Sequence, residues 1–77
     1  MSVESDLELD ACGLMCPEPV MLLHKKVKEL ASQQVLKVTA TDPSTTRDVP
    51  KFCQFLGFEL LGSNEEDGIF VYFIKKP

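Results

Sequence analysis

Leu7-Glu8-Leu9-Asp10-Ala11-Cys12-Gly13-Leu14-Met15-Cys16-Pro17-Glu18-Pro19-Val20 is the stretch in which the period of the chain changes. Leu7, Leu9 and Ala11 alternate with Glu8 and Asp10, the period of two that gives a strand one apolar face. Gly13 then marks a turn. From Pro17 onward Val20, Leu23, Val27, Leu30 and Ala31 recur at helical spacing, with Lys25, Lys28 and Glu29 on other faces, which predicts a helix over 17–31. Pro17 suits the first turn of that helix, where an N–H has no intrahelical acceptor, and it puts Cys16 at or beside the N-cap.

Beyond a polar break at Ser32-Gln33-Gln34, residues 35–41 read as a β-branched strand with Leu36, Val38 and Ala40 on one face. A second helix has two possible starts, one at Asp42-Pro43 and one at Asp48 with Pro50. Either way Val49, Phe52, Cys53 and Leu56 form its apolar stripe and Gly57 is its natural C-terminal cap. Residues 58–61 begin a strand, Asn64 to Gly68 reads as a turn, and Ile69 to Ile74 is the strongest strand signal in the chain, so the last two strands should form an antiparallel hairpin. The order β-α-β-α-β-β with one-sided helices predicts an α/β (α+β) two-layer sandwich: a four-stranded mixed sheet with both helices on one face. Either Ile69/Val71/Phe73 or Phe70/Tyr72/Ile74 must then lie on the uncovered side, as a contact surface or beneath loops or the N-terminal tail.

Composition limits the function. Seventy-seven residues, 44% apolar and 26% charged, suit a single domain over 1–77, with 1–6 as a flexible tail. Eight Lys+Arg against twelve Asp+Glu leave a net charge of −4, the wrong sign for a nucleic-acid backbone, so a protein partner is expected. A core this small has no room for an organic cofactor with its substrate, which places any chemistry on the surface without a cofactor. No stretch approaches the roughly 18 apolar residues of a membrane span, and the acidic N-terminus is unlike a signal peptide, so we read a cytoplasmic protein without a membrane partner.

In a reducing compartment three cysteines are kept for reactivity, metal or burial. Cys16, where a helix begins, faces orphan backbone N–H groups and the positive end of the helix dipole, which favour a thiolate; an ordinary cysteine before a proline-started helix is the plainer alternative. Pro17 and Pro19 stiffen the entrance. His24 is two turns away and reads as a boundary residue rather than a base, so the sulfur has no catalytic machinery around it. A bare thiolate is the equipment of a carrier, which takes an activated sulfur from one partner and hands it to the next. Cys12 and Cys16 lack the C-x-x-C spacing of a redox couple, though a thiol-based redox or regulatory module using both is the alternative function. Cys53 reads as a small core residue. The three cysteines and His24 match no zinc spacing, and no metal is expected.

Two blocks carry a resemblance: Leu9-Asp10 through Gly13 to Cys16-Pro17-Glu18-Pro19-Val20-Met21, and Thr41-Asp42-Pro43 followed by Thr45-Thr46-Arg47-Asp48-Val49-Pro50 and Phe52-Cys53. In these the chain resembles the TusA/SirA-like family of sulfur carriers over residues 7–75. The resemblance implies the same β-α-β-α-β-β sandwich and a sulfurtransferase that works stoichiometrically. Cys16 would accept persulfide sulfur from a cysteine desulfurase and pass it to a downstream sulfur-relay protein, most simply toward 2-thiolation of a tRNA wobble uridine, with molybdenum-cofactor assembly or sulfur oxidation as other ends. The carrier itself need not touch the tRNA. Gly13, Pro17, Glu18 and Pro19 are the motif residues that support the cysteine. The chain departs from the family at Cys12, where an aliphatic residue is usual, and on the outer surface of the first helix, where His24, Lys25 and Lys28 stand in place of arginines.

At 100° per residue Met21 and Leu22 fall away from the buried stripe, which makes them candidate anchors for a partner. Lys25 and Lys28 add positive charge for docking beside His24, and Asp42 joins this surface as its acidic member. Spacing alone gives neither Glu18 nor Asp42 a catalytic role.

Overall fold

The computed structural model describes residues 5–77. Strand β1 (Leu7–Ala11) leads to helix α1 (Glu18–Lys26), which tightens into a 3₁₀ turn over Val27–Glu29; β2 (Val35–Ala40), α2 (Thr45–Leu56), β3 (Glu59–Glu66) and β4 (Ile69–Lys75) follow. The sheet order is β1-β2-β4-β3. β1 and β2 are parallel, with α1 as their crossover, and the other two pairings are antiparallel, so the sheet is mixed as the sequence predicts.

The register explains which face is buried. Leu9, Val38 and Tyr72 lie opposite one another across β1, β2 and β4, as do Leu7, Leu36 and Ile74. With Leu23, Val27 and Leu30 from the first helical segment and Val49, Phe52 and Cys53 from α2 they form the core. Ile69, Val71 and Phe73 therefore belong to the other face, where Ile69 is exposed and the other two are half-buried.

Three details differ from the sequence reading, and one open choice is settled. The helix expected over 17–31 ends its α-helical part at Lys26, and Leu30 turns extended (φ −79°, ψ 134°), keeping its side chain in the core while the chain swings toward β2; Ala31 is consequently exposed. Of the two possible starts for α2 the first is correct, and Pro50 lies inside the helix. Leu56 leaves the buried stripe and is 40% exposed, because α2 ends there on Gly57 in the left-handed conformation. The turn expected over Asn64–Gly68 shrinks to Asp67 (φ 53°) and Gly68 (φ 78°), a two-residue connection whose positive φ values match the twist of the flanking strands. Residues 1–4 of the expected tail lie outside the described residues. Asp6 is tied down: its N–H donates to the Val35 carbonyl and its carboxylate accepts from the Val35 N–H, both at 2.8 Å.

One buried polar contact connects the core to the loop before α2. Thr45 Oγ1 lies 2.7 Å from the Asp42 carbonyl and 2.8 Å from the Tyr72 hydroxyl. The Thr45 hydroxyl has one proton and the carbonyl can only accept, so Thr45 donates to Asp42 and Tyr72 donates to Thr45. Burial pushes the Tyr72 hydroxyl above its usual range, which keeps that donor protonated. Tyr72→Phe is expected to cost about 0.5–1.5 kcal/mol, the net worth of one hydrogen bond, read as a lower midpoint of urea unfolding. An unchanged midpoint would show that this contact does not anchor the loop.

Candidate functional site

Because β1 and β2 run parallel, the loops that leave them emerge at the same end of the sheet. The two loops are laced together there. Gly13, at φ 82°, turns its N–H to Thr41 Oγ1 at 2.8 Å, a backbone conformation that costs a residue with a Cβ. The Cys16 N–H donates to Asp42 Oδ2 at 2.6 Å, and the other carboxylate oxygen of Asp42 accepts from the Ser44 N–H at 3.0 Å. These amides, Ser44 first and Cys16 second, hold the Asp42 carboxyl below the usual carboxylate range. Asp42 thus fixes the backbone of Cys16 from 26 residues away.

The Cys16 side chain is exposed, and its Sγ lies 3.5 Å from Asp48 Oδ2, within reach of a thiol donating to a carboxylate. Arg47 Nε holds the other oxygen of Asp48 at 3.1 Å. Beyond the sulfur an open groove of about 440 Å³ runs between the two helices. Pro17, Val20 and His24 line it from α1 and its entrance; Asp48, Lys51, Phe52, Phe55 and Leu56 line it from α2. Phe55 is 83% exposed and His24 packs edge-on against Phe52, with ring centroids 4.8 Å apart. An exposed thiol at the mouth of an apolar groove is open to a partner's approach while the groove takes neighbouring side chains.

The entrance of α1 offers the sulfur fewer amides than its position suggests. Pro17 is the N-cap and Pro19 is in the first turn, neither has an N–H, and the Glu18 N–H is already given to the Met15 carbonyl at 2.9 Å. The Val20 N–H is the one donor that the turn retains, since Met21 donates to Pro17. A carboxylate, Asp48, is the polar group that the structure puts against Sγ instead.

The chain matches the family model described as Sulfurtransferase TusA over residues 7–76. It belongs to the TusA family. It is 68% identical over 71 residues to the sulfur carrier protein TusA of Pseudomonas entomophila, covering 92% of this chain and 89% of that one. It is 59% identical over 76 residues to that of Pseudomonas aeruginosa, covering 99% and 96%. Among solved structures, the SirA-like protein from Desulfitobacterium hafniense aligns with a TM-score of 0.79 at 25% identity, over 90% of this chain and 95% of the other. The TusA-family chain is therefore a sulfur carrier, and sulfur transfer is its general activity.

Within this TusA fold the residues singled out from sequence separate into groups. Cys16, Pro17 and His24 line the same groove, with His24 two helical turns along α1 from the cysteine. Met21, Leu22 and Lys25 line a different depression on the far side of α1, with Leu14 and Glu18; Met21 is exposed and Leu22 half-buried. Lys28 lines a third, at the lower end of the helices. Pro19 is buried, and Asp42 acts on the Cys16 backbone. Cys12 is exposed but does not line the groove, and its hydrogen bond to Asp10 pushes its thiol up, away from the reactive thiolate. Cys53 is 3% exposed, and burial pushes its thiol up to about 11.

Asp48, Lys51 and Phe55 went unrecognised in the sequence. Their spacing of i, i+3 and i+7 was a signal, since it marks one helical face roughly a third of a turn from the core stripe. What spacing does not say is that this face looks onto α1. Among the described residues no three His, Cys, Asp or Glu side chains gather so as to hold a metal ion, and no helix is long and apolar enough to cross a membrane.

Proposed function

We propose that Cys16 is the sulfur-carrying residue of this protein. The observation that supports this most directly is its geometry: an exposed Sγ at the mouth of an apolar groove, on a backbone fixed by Asp42. In the loading step the Cys16 thiolate attacks the outer sulfur of a persulfide on a cysteine desulfurase. A new S–S bond forms as the old one breaks, and the donor's cysteine leaves as a thiolate, with no net oxidation. Unloading is the same exchange with the thiolate of a downstream relay protein. Sulfur delivered this way serves 2-thiolation of a tRNA wobble uridine in the cytoplasm, and the carrier, at net −4, makes its contacts with proteins rather than with the tRNA.

Incubation of the wild-type protein with a cysteine desulfurase and cysteine, followed by peptide mass mapping, tests the proposal. One added sulfur, about 32 Da, is expected on the peptide that contains Cys16. The same mass confined to Cys12, or no gain at all, would overturn it.

A further inference from the structure

The groove beside Cys16 contains a cation that the loading step above does not use. Lys51 lies one turn beyond Asp48 on α2, lines the same groove and is exposed. Among the described residues it makes no ion pair; the two present are Lys26–Glu29 and Arg47–Asp48. Of the other charged groups around Cys16, Asp42 spends both carboxylate oxygens on backbone amides and Arg47 holds Asp48. The His24 ring lines the same groove two helical turns along α1, edge-on against Phe52.

Loading changes what Cys16 needs from this surface. A resting thiol can donate to Asp48 Oδ2, 3.5 Å from Sγ. A second sulfur extends the side chain by about 2 Å and, once ionised, carries a full negative charge that the same carboxylate repels. The way left open is along the groove, whose Pro17, Val20 and Phe52 walls have no donor to offer, and the helix entrance supplies at most the Val20 amide. We propose that Lys51 binds the terminal sulfur of loaded Cys16, so that Asp48 attracts the empty thiol and Lys51 the loaded persulfide. The inference rests on the reading that Cys16 carries persulfide sulfur, and it gives the two states of the carrier different side-chain positions.

The test uses the full chain with Cys12→Ala, loaded by a low-molecular-weight persulfide so that no partner protein is needed. The Cys16 thiolate takes the outer sulfur and the small thiolate leaves. The terminal sulfur is then alkylated with iodoacetamide across a pH series and the product followed by intact mass. Relative to this parent, Lys51→Ala is expected to move the midpoint of the rate profile up by roughly half a pH unit and Lys51→Glu by about one unit, while Lys51→Arg leaves it in place. Added salt should narrow the differences. Equal midpoints for Lys51→Glu and Lys51→Arg, in variants with the parent's unfolding midpoint, overturn the inference and leave the carrier reading intact. Failure of Cys16 to load in any variant, the parent included, overturns both.

Discussion

Cys16→Ser is expected to abolish sulfur acceptance: after treatment with desulfurase and cysteine the wild type gains about 32 Da and the variant gains none. The substitution changes one atom. A serine hydroxyl can still donate to Asp48, and the Cys16 N–H bond to Asp42 is a backbone contact that the side chain does not alter, so the loop keeps its shape. What is lost is the ability to form an S–S bond. Neither remaining thiol can substitute. Cys53 is in the core, and Cys12 stands outside the groove with its thiol pushed up by Asp10. Cys12→Ser should consequently load like the wild type. Equal loading of Cys16→Ser and wild type would refute the assignment of the carrier sulfur, and failure of Cys12→Ser would return the two-thiol module to consideration.

The second large effect concerns Asp42→Ala. Removing this carboxylate frees the Cys16 and Ser44 amides together, so the loop after β1 loses its tie to the loop after β2 and the start of α2 loses its side-chain turn. A sulfur displaced by about 1 Å from its attack geometry can lose up to a hundredfold in rate, so loading should slow on the order of ten- to a hundredfold while the final extent of loading remains that of the wild type. Asp42→Asn should fall between, since its amide oxygen replaces one acceptor of two. Acid tests the same contact without mutation. The Asp42 carboxyl is held below its ordinary value of 3.8, so its contribution to the fold is fully present above that pH and is lost as pH falls through the lowered value. Unfolding midpoints of wild type and Asp42→Ala should therefore converge below about pH 4. Wild-type loading rates in Asp42→Ala would show that the carboxylate does not position the cysteine.

The periodicities of the chain carried most of the architecture. Leu7/Leu9/Ala11 and Leu36/Val38/Ala40 are legible as faces because a half-buried strand repeats every two residues, and the register pairs them one to one. Helix ends were harder. Leu30 and Ala31 continue the helical spacing of Val20, Leu23 and Val27, yet Leu30 reaches the core from an extended backbone, and periodicity does not distinguish the two routes. Cys16 at the start of α1 was readable because prolines mark that boundary. Its surroundings were not. Asp42 and Asp48 reach the cysteine from 26 and 32 residues away, and only the parallel pairing of β1 with β2 and the placement of α2 beside α1 make them neighbours. The docking residues chosen on α1 separate for a related reason: a helical wheel tells outside from inside, but not which outer surface adjoins the groove.

The lacing of the chain at the far end of the sheet has a practical side. Asp6 joins Val35 where β2 begins, and at that same end Lys76 exchanges backbone hydrogen bonds with Gln33 and Gln34 while the Pro77 carbonyl accepts from the Ser32 hydroxyl. Both strands next to Cys16 run away from this end, so an affinity handle, a dye or a fused module appended after Pro77 would sit a full strand length from the Cys16 sulfur. Such a tethered carrier could be captured on a surface with its working end pointing into solution.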